Sequence, residues 1–188
     1  MRKNNSLRAL CESAVFTALS LALSYVKIPT GMAFGGFGGS IDLVMIPLLL
    51  CGIRWGLGWG LGAGFVFGTL KFFFAGGSAI SWQSMLLDYS LAYMMVGLAG
   101  LLRGRSSMAW LAALLGCVGR FAIHFISGVT IYAQYVSPIF GWSGKSSVIY
   151  SILYNGSYML PNTIIAVLAL ALLRNPLGKF LRGEDRTN

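Results

Sequence analysis

The sequence predicts an all-α integral membrane protein: six transmembrane helices in one compact bundle, with residues 1–188 forming a single transmembrane domain. Three observations carry this expectation. Hydrophobic residues make up 56% of the chain, charged ones 10%, and mean hydropathy is +0.74, more apolar surface than a water-soluble domain of this length can hide. Lipid requires every backbone polar group to be satisfied internally, which leaves helices or a closed barrel, and long apolar runs without dyad alternation select helices. The third observation is a one-sided distribution of basic residues.

Helix one is expected over 9–26, after the basic start MRKNNSLR. Read as a signal peptide cleaved at Ala22-Leu23-Ser24, this segment has too long an apolar run for an h-region, so it is taken as a retained span. Helix two, over 41–53, has about thirteen residues and contains Pro47; it is short for a full span and is expected to be tilted, broken or partly re-entrant. Helix three, over 55–74, carries a stripe of Gly56, Gly60, Gly64 and Gly68, read as a surface for close helix packing. Helices four (83–102), five (108–132) and six (147–173) hold most of the intramembrane polar residues.

With the N-terminus in the cytoplasm, inside segments carry Arg2, Lys3, Arg8, Arg54, Arg103, Arg105, Arg174, Lys179, Arg182 and Arg186. Outside loops carry Lys27, Lys71 and Lys145. This is the positive-inside pattern, and it puts both termini in the cytoplasm. The net charge of +9 then reflects topology and anionic headgroups; with no basic stripe interleaved by aromatics, nucleic acid is not expected as a partner.

Several chemistries are disfavoured. Cys11, Cys51 and Cys117 lack ligand spacing and read as small buried hydrophobes. One histidine, no HExxH and dispersed acids argue against an intramembrane enzyme. The glycines at 56–64 lack the Gly-Lys-Ser/Thr ending that cradles phosphate, so any ATP hydrolysis belongs to a partner. No metal or cofactor is expected.

Polar residues in hydrocarbon are costly and by default mark a ligand site or relay. Helix four descends from outside, helix five rises and helix six descends, so Asp88, His124, Tyr132, Tyr150 and Asn155 converge in the outer half. Arg120 and His124 are four residues apart and share a face, as do Ser151 and Asn155. The expected result is an outward-facing pocket whose candidate lining also takes in Tyr89, Ser127 and Gly128. Aromatic walls with one carboxylate suit a small, flat, cationic ligand. The Gly-rich loop after Pro29 offers Phe34 and Phe37 as lid residues. Arg120 is read first as a structural partner of Asp88, the alternatives being an anchor on backbone carbonyls or a contact to a ligand anion if the substrate is a phosphate ester; Glu12 is read as meeting headgroups or a partner protein, and Asp42 as serving the first turn of helix two.

Four segments, GGSIDLVMIPLLLCGIRWGLGWGLGAGFVFG (38–68), LLDYSLAYMMVGLAGL (86–101), GRFAIHFISGVTIYAQY (119–135) and SVIYSILYNGSYMLPN (147–162), together resemble the thiamine-specific S components of energy-coupling-factor vitamin transporters. The likeness covers nearly the whole chain. It implies a multi-pass protein of the bacterial cytoplasmic membrane that binds thiamine outside and delivers it inward with a transmembrane coupling protein and two ATPase subunits. In that family a carboxylate on helix four, a histidine on helix five, and a tyrosine and an asparagine five residues apart on helix six hold the ligand. Asp88, His124, Tyr150 and Asn155 occupy the matching places. Two positions depart from the pattern: Asp88 where Glu is frequent, and Tyr132 where Trp is frequent. Ala14, Ala18 and Ala22 on helix one resemble the small-residue signature through which S components meet the coupling protein. The residues alone also admit a proton-coupled secondary transporter, or an S component for another small ring-containing vitamin or precursor.

Overall fold

The computed structural model describes residues 2–30 and 38–186. Helix α1 spans Arg2–Leu23 and leads into strand β1 (Lys27–Pro29), which pairs antiparallel with β2 (Ser40–Asp42). Helices α2 (Met45–Trp55), α3 (Leu57–Phe74), α4 (Trp82–Leu102), α5 (Ala109–Thr130), α6 (Ser147–Leu173) and the short α7 (Gly178–Arg182) follow. Among the described residues, five helices are long and apolar enough to cross a membrane: α1, α3, α4, α5 (with the turn that precedes it) and α6.

The second predicted helix is the element that differs most. Its first two residues, 41 and 42, belong to the hairpin strand, and the helix starts only at Met45. At 11 residues it is about 16 Å long, roughly half the hydrocarbon thickness. Pro47 does not break it, because the third helical residue has no intrahelical acceptor for an N–H in any case. At its other end Gly56, with φ 93°, turns the chain directly into α3, a conformation open to glycine. The all-α expectation is therefore corrected by one small hairpin.

The glycine stripe on α3 lets α4 approach almost backbone to backbone. A Cβ on Gly64 would overlap the Tyr93 carbonyl, one on Gly68 the Tyr89 carbonyl, and one on Gly60 the backbone of Gly97. Along this contact α4 changes its winding: an α turn (Trp82–Met85), a π-helical stretch (Leu86–Leu91), a second α turn (Ala92–Val96) and a 3-10 stretch (Gly97–Leu102). The predicted continuous α-helix over 83–102 thus contains a π segment, a feature frequent at functional sites. The apolar core, including Leu48, Leu49, Ile53, Phe67, Val96 and Leu170, lies between α2, α3, α4, α5 and α6.

Two basic residues counted as free topological charges are interior. Arg54 is fully buried and stacks on Phe180, its Cζ 3.6 Å from the ring centroid. It donates to both carboxylate oxygens of Glu12 and of Asp185 and to the Phe180 carbonyl. Glu12 also accepts from Trp55 Nε1 at 2.9 Å and from Arg8, so it serves this cluster rather than the headgroups. Because Arg8 also bonds Asp185, the N-terminal and C-terminal segments meet at one end of the bundle. Lys71, expected in an outer loop, sits in the last turn of α3 and is buried against Asp42, Nζ to Oδ2 3.1 Å.

Candidate functional site

At the end of the bundle away from the termini, α3, α4, α5, α6 and the hairpin enclose a cavity of about 340 Å³, within the size range of small-molecule sites. The π segment of α4 delivers Asp88 and Tyr89 to its wall. Asp88 Oδ1 lies 3.2 Å from His124 Nδ1 on α5. The other ring nitrogen, Nε2, is buried and has no partner among the described residues. Tyr89 is held by Ser78, whose N–H donates to its hydroxyl at 2.8 Å and whose carbonyl accepts from it at 3.1 Å.

The opposite wall is a tyrosine ladder on α6. Tyr150, Tyr154 and Tyr158 are spaced by four and therefore share a face. Tyr150 and Tyr154 stack at 5.7 Å and 14°, and Tyr158 meets His124 edge to face at 5.9 Å. The Tyr154 hydroxyl donates to the Gly38 carbonyl and accepts from the Gly38 N–H at 3.0 Å, tying the ladder to the chain just before β2. Asn155 knits the wall together. Its Nδ2 donates to the His124 carbonyl at 3.2 Å and the Ser151 carbonyl at 3.0 Å, and its Oδ1 accepts from Tyr158 at 2.7 Å. Gly128 leaves the room this junction needs, since a Cβ there would overlap Ser151 Oγ. Tyr132, just past α5, has its phenol pushed up to about 12 by burial and by the nearby Asp88 carboxylate, so it stays a neutral donor.

Deeper on α5, one turn from His124, Arg120 lines the cavity beside Lys71 and Tyr93. Tyr93 Oη accepts from both cations, Lys71 Nζ at 2.6 Å and Arg120 Nη2 at 2.9 Å. The expected Arg120–Asp88 pairing is thus replaced: His124 takes Asp88, and Arg120 lies over the Tyr93 ring, Cζ 4.1 Å from its centroid. Asp42 Oδ2 accepts from Lys71 Nζ at 3.1 Å and from Ser40 Oγ at 2.9 Å. Asp42 keeps part of its predicted role, Oδ1 accepting from the Val44 N–H at 3.4 Å ahead of α2.

Of the predicted set, Asp88, Tyr89, His124, Gly128, Tyr132, Tyr150 and Asn155 line one cavity. Ser127 is buried and does not line it. Phe34 and Phe37 lie outside the described residues. Lys71, Tyr93, Tyr154 and Tyr158 were not predicted to line it; the spacing of four from Tyr150 through Tyr154 to Tyr158 was the signal available for the last two.

Membrane-length helices around a tyrosine-walled polar cavity of small-molecule size define a helical membrane protein with a built-in ligand chamber. The chain belongs to the thiamine transporter protein family (Thia_YuaJ), whose model matches residues 10–181. It is 28% identical over 189 residues to a thiamine transporter ThiT of Lacticaseibacillus paracasei, covering 92% of this chain and 90% of that protein. It is 29% identical over 198 residues to the thiamine transporter ThiT of Bacillus subtilis, covering 98% and 99%. A ThiT structure from Listeria monocytogenes has the same fold, with a TM-score of 0.80 at 24% identity over 94% of this chain and 98% of that one. Family membership agrees with the resemblance to thiamine-specific S components. The relatives are named as transporters rather than enzymes, and the chain is a multi-pass protein of the bacterial cytoplasmic membrane.

Proposed function

We propose that this chain captures thiamine in the cavity and acts as the substrate-binding subunit of an energy-coupling-factor importer. The observation that carries the reading is the facing of one carboxylate, Asp88, by a wall of stacked tyrosines. Thiamine joins an aminopyrimidine to a cationic thiazolium. Asp88 accepts from the ring amino group or balances the cation, and the Tyr150 and Tyr154 rings stack on a flat cation. His124 holds the Asp88 carboxylate in place, and Tyr89, Tyr132, Asn155 and Gly128 complete the chamber. Asp88 is shorter than the glutamate frequent in the family, so the ligand sits closer to α4.

The whole of 1–188 works as one substrate-binding unit with six crossings, the second built from the hairpin and α2 together, and with both termini cytoplasmic. The meeting of Arg8 and Arg54 with Asp185 at one end of the bundle supports an even number of crossings. Its partners are a transmembrane coupling protein and two ATPase subunits. Ala14, Ala18 and Ala22 support the docking reading, because they lie on an exposed face of α1 rather than inside the bundle.

Uptake of labelled thiamine into proteoliposomes tests the coupling. Transport that requires the coupling protein, the ATPases and ATP supports the proposal. Transport by this chain alone, driven by an imposed proton gradient, assigns a proton-coupled carrier instead.

A further inference from the structure

We propose that Arg120, with Lys71 beside it, forms an anion subsite in the floor of the cavity, occupied together with the cationic ligand. Arg120 is 5% exposed, lines the cavity, and leaves Nε and Nη1 without an acceptor among the described residues. A buried guanidinium with unmet N–H groups is costly, more so than a neutral donor. Its surroundings sharpen the need. Arg120 and Lys71 converge on the single Tyr93 hydroxyl oxygen, placing two cations side by side. Asp42 ion-pairs with Lys71, Asp88 is taken by His124, and no carboxylate among the described residues lies in salt-bridge range of Arg120. Once a cationic ligand uses Asp88, Asp42 is left as one carboxylate for two cations, Lys71 and Arg120, in the floor of the chamber, and Arg120 Nε and Nη1 remain buried without an acceptor among the described residues.

The chemistry that answers this is a small anion, either free (chloride or inorganic phosphate) or tethered to the ligand as a phosphate ester. The free form is independent of the ligand's identity; the tethered form rests on the thiamine reading. In both, anion and organic cation bind with positive linkage, of the order of fivefold to a hundredfold in affinity.

The test uses the full chain in detergent at constant ionic strength, with sodium gluconate exchanged for sodium chloride or sodium phosphate. Thermal unfolding of the ligand-free protein reads the free anion: a saturable rise in melting temperature that Arg120→Met abolishes assigns it, by mass action on the folded state. Titrations in gluconate with thiamine and thiamine monophosphate read the tethered anion: a preference of about tenfold for the ester that Arg120→Met removes assigns that source. No anion-dependent rise and no preference for the ester overturns the subsite and leaves water as the partner of Arg120. Where Arg120→Met does not fold, the wild-type measurements decide and Arg120→Lys supplies the charge-retaining comparison. Failure of thiamine to bind in any medium overturns the thiamine reading, while the melting series still decides the subsite.

Discussion

Asp88 on α4 and His124 on α5 meet at 3.2 Å across two helices that share no loop geometry beyond a short turn. The imidazole fixes the carboxylate's direction, and its own ring is held edge to face by Tyr158. His124→Ala removes the orienting partner and empties part of the wall. A charge-assisted hydrogen bond is worth about 1.5–3 kcal/mol, so thiamine Kd is expected to rise by about tenfold to a hundredfold. Isothermal titration of wild type and variant checks this; a change within about twofold would show that Asp88 needs no support.

The placement of Asp88 rests on α3 as well. Gly64→Ala and Gly68→Ala put a Cβ into the Tyr93 and Tyr89 carbonyls and push α4 outward. Overpacking of this kind costs about 1–3 kcal/mol. Gly62→Ala, on the same helix, meets open space and is expected to be neutral or slightly stabilising. Melting temperatures of the three variants separate packing from helix propensity: both packed variants fall and the third does not.

The helical class, the run of α3, α5 and α6, and the convergence of Asp88, His124, Tyr150 and Asn155 were legible because hydropathy and four-residue spacing are local signals. What was not legible depends on contacts distant in sequence. The strands Lys27–Pro29 and Ser40–Asp42 have three residues each, too few to display a period. The π segment at 86–91 lies where α4 presses on Gly64 and Gly68, and no residue within it announces the change. Four-residue spacing put Arg120 on the face of His124, yet pairing was decided by which groups face each other. Lys71 looked like a loop charge because its partner, Asp42, lies on the hairpin 29 residues earlier.

Lys71 and Asp42 form the most enclosed ion pair described, with side chains 9% and 0% exposed. Lys71→Met strands a buried carboxylate and is expected to cost about 3 kcal/mol or more. Adding Asp42→Asn should recover much of that loss, since the carboxylate stranded by Lys71→Met is then gone and Ser40 and Asn162 still bond this stretch of backbone and side chain. A double-mutant cycle by chemical denaturation measures it; additive losses would mean the pair is not coupled.

At the other end of the bundle, hydrogen bonds from Arg54, against a small burial penalty and with help from its charge and that of Arg8, hold the Asp185 carboxyl at about 2, below its ordinary 3.8. A carboxyl lowered on folding stabilises the native state above its unfolded value and stops doing so as pH falls through its folded value. The difference in melting temperature between wild type and Asp185→Asn should therefore be flat above about pH 4.5, be mostly lost by about pH 2 and vanish only below it. A difference that persists unchanged at pH 2 would show that the clasp works without the charge.

The central claim is that the chamber between Asp88 and the tyrosine ladder takes thiamine. Its most direct test is a fluorescence titration of the purified, detergent-solubilised protein with thiamine, beside Asp88→Ala. The account predicts saturable binding to the wild type and its loss in a variant that still melts cooperatively. Absence of saturable binding to the wild type, or equal affinity in the variant, would contradict it.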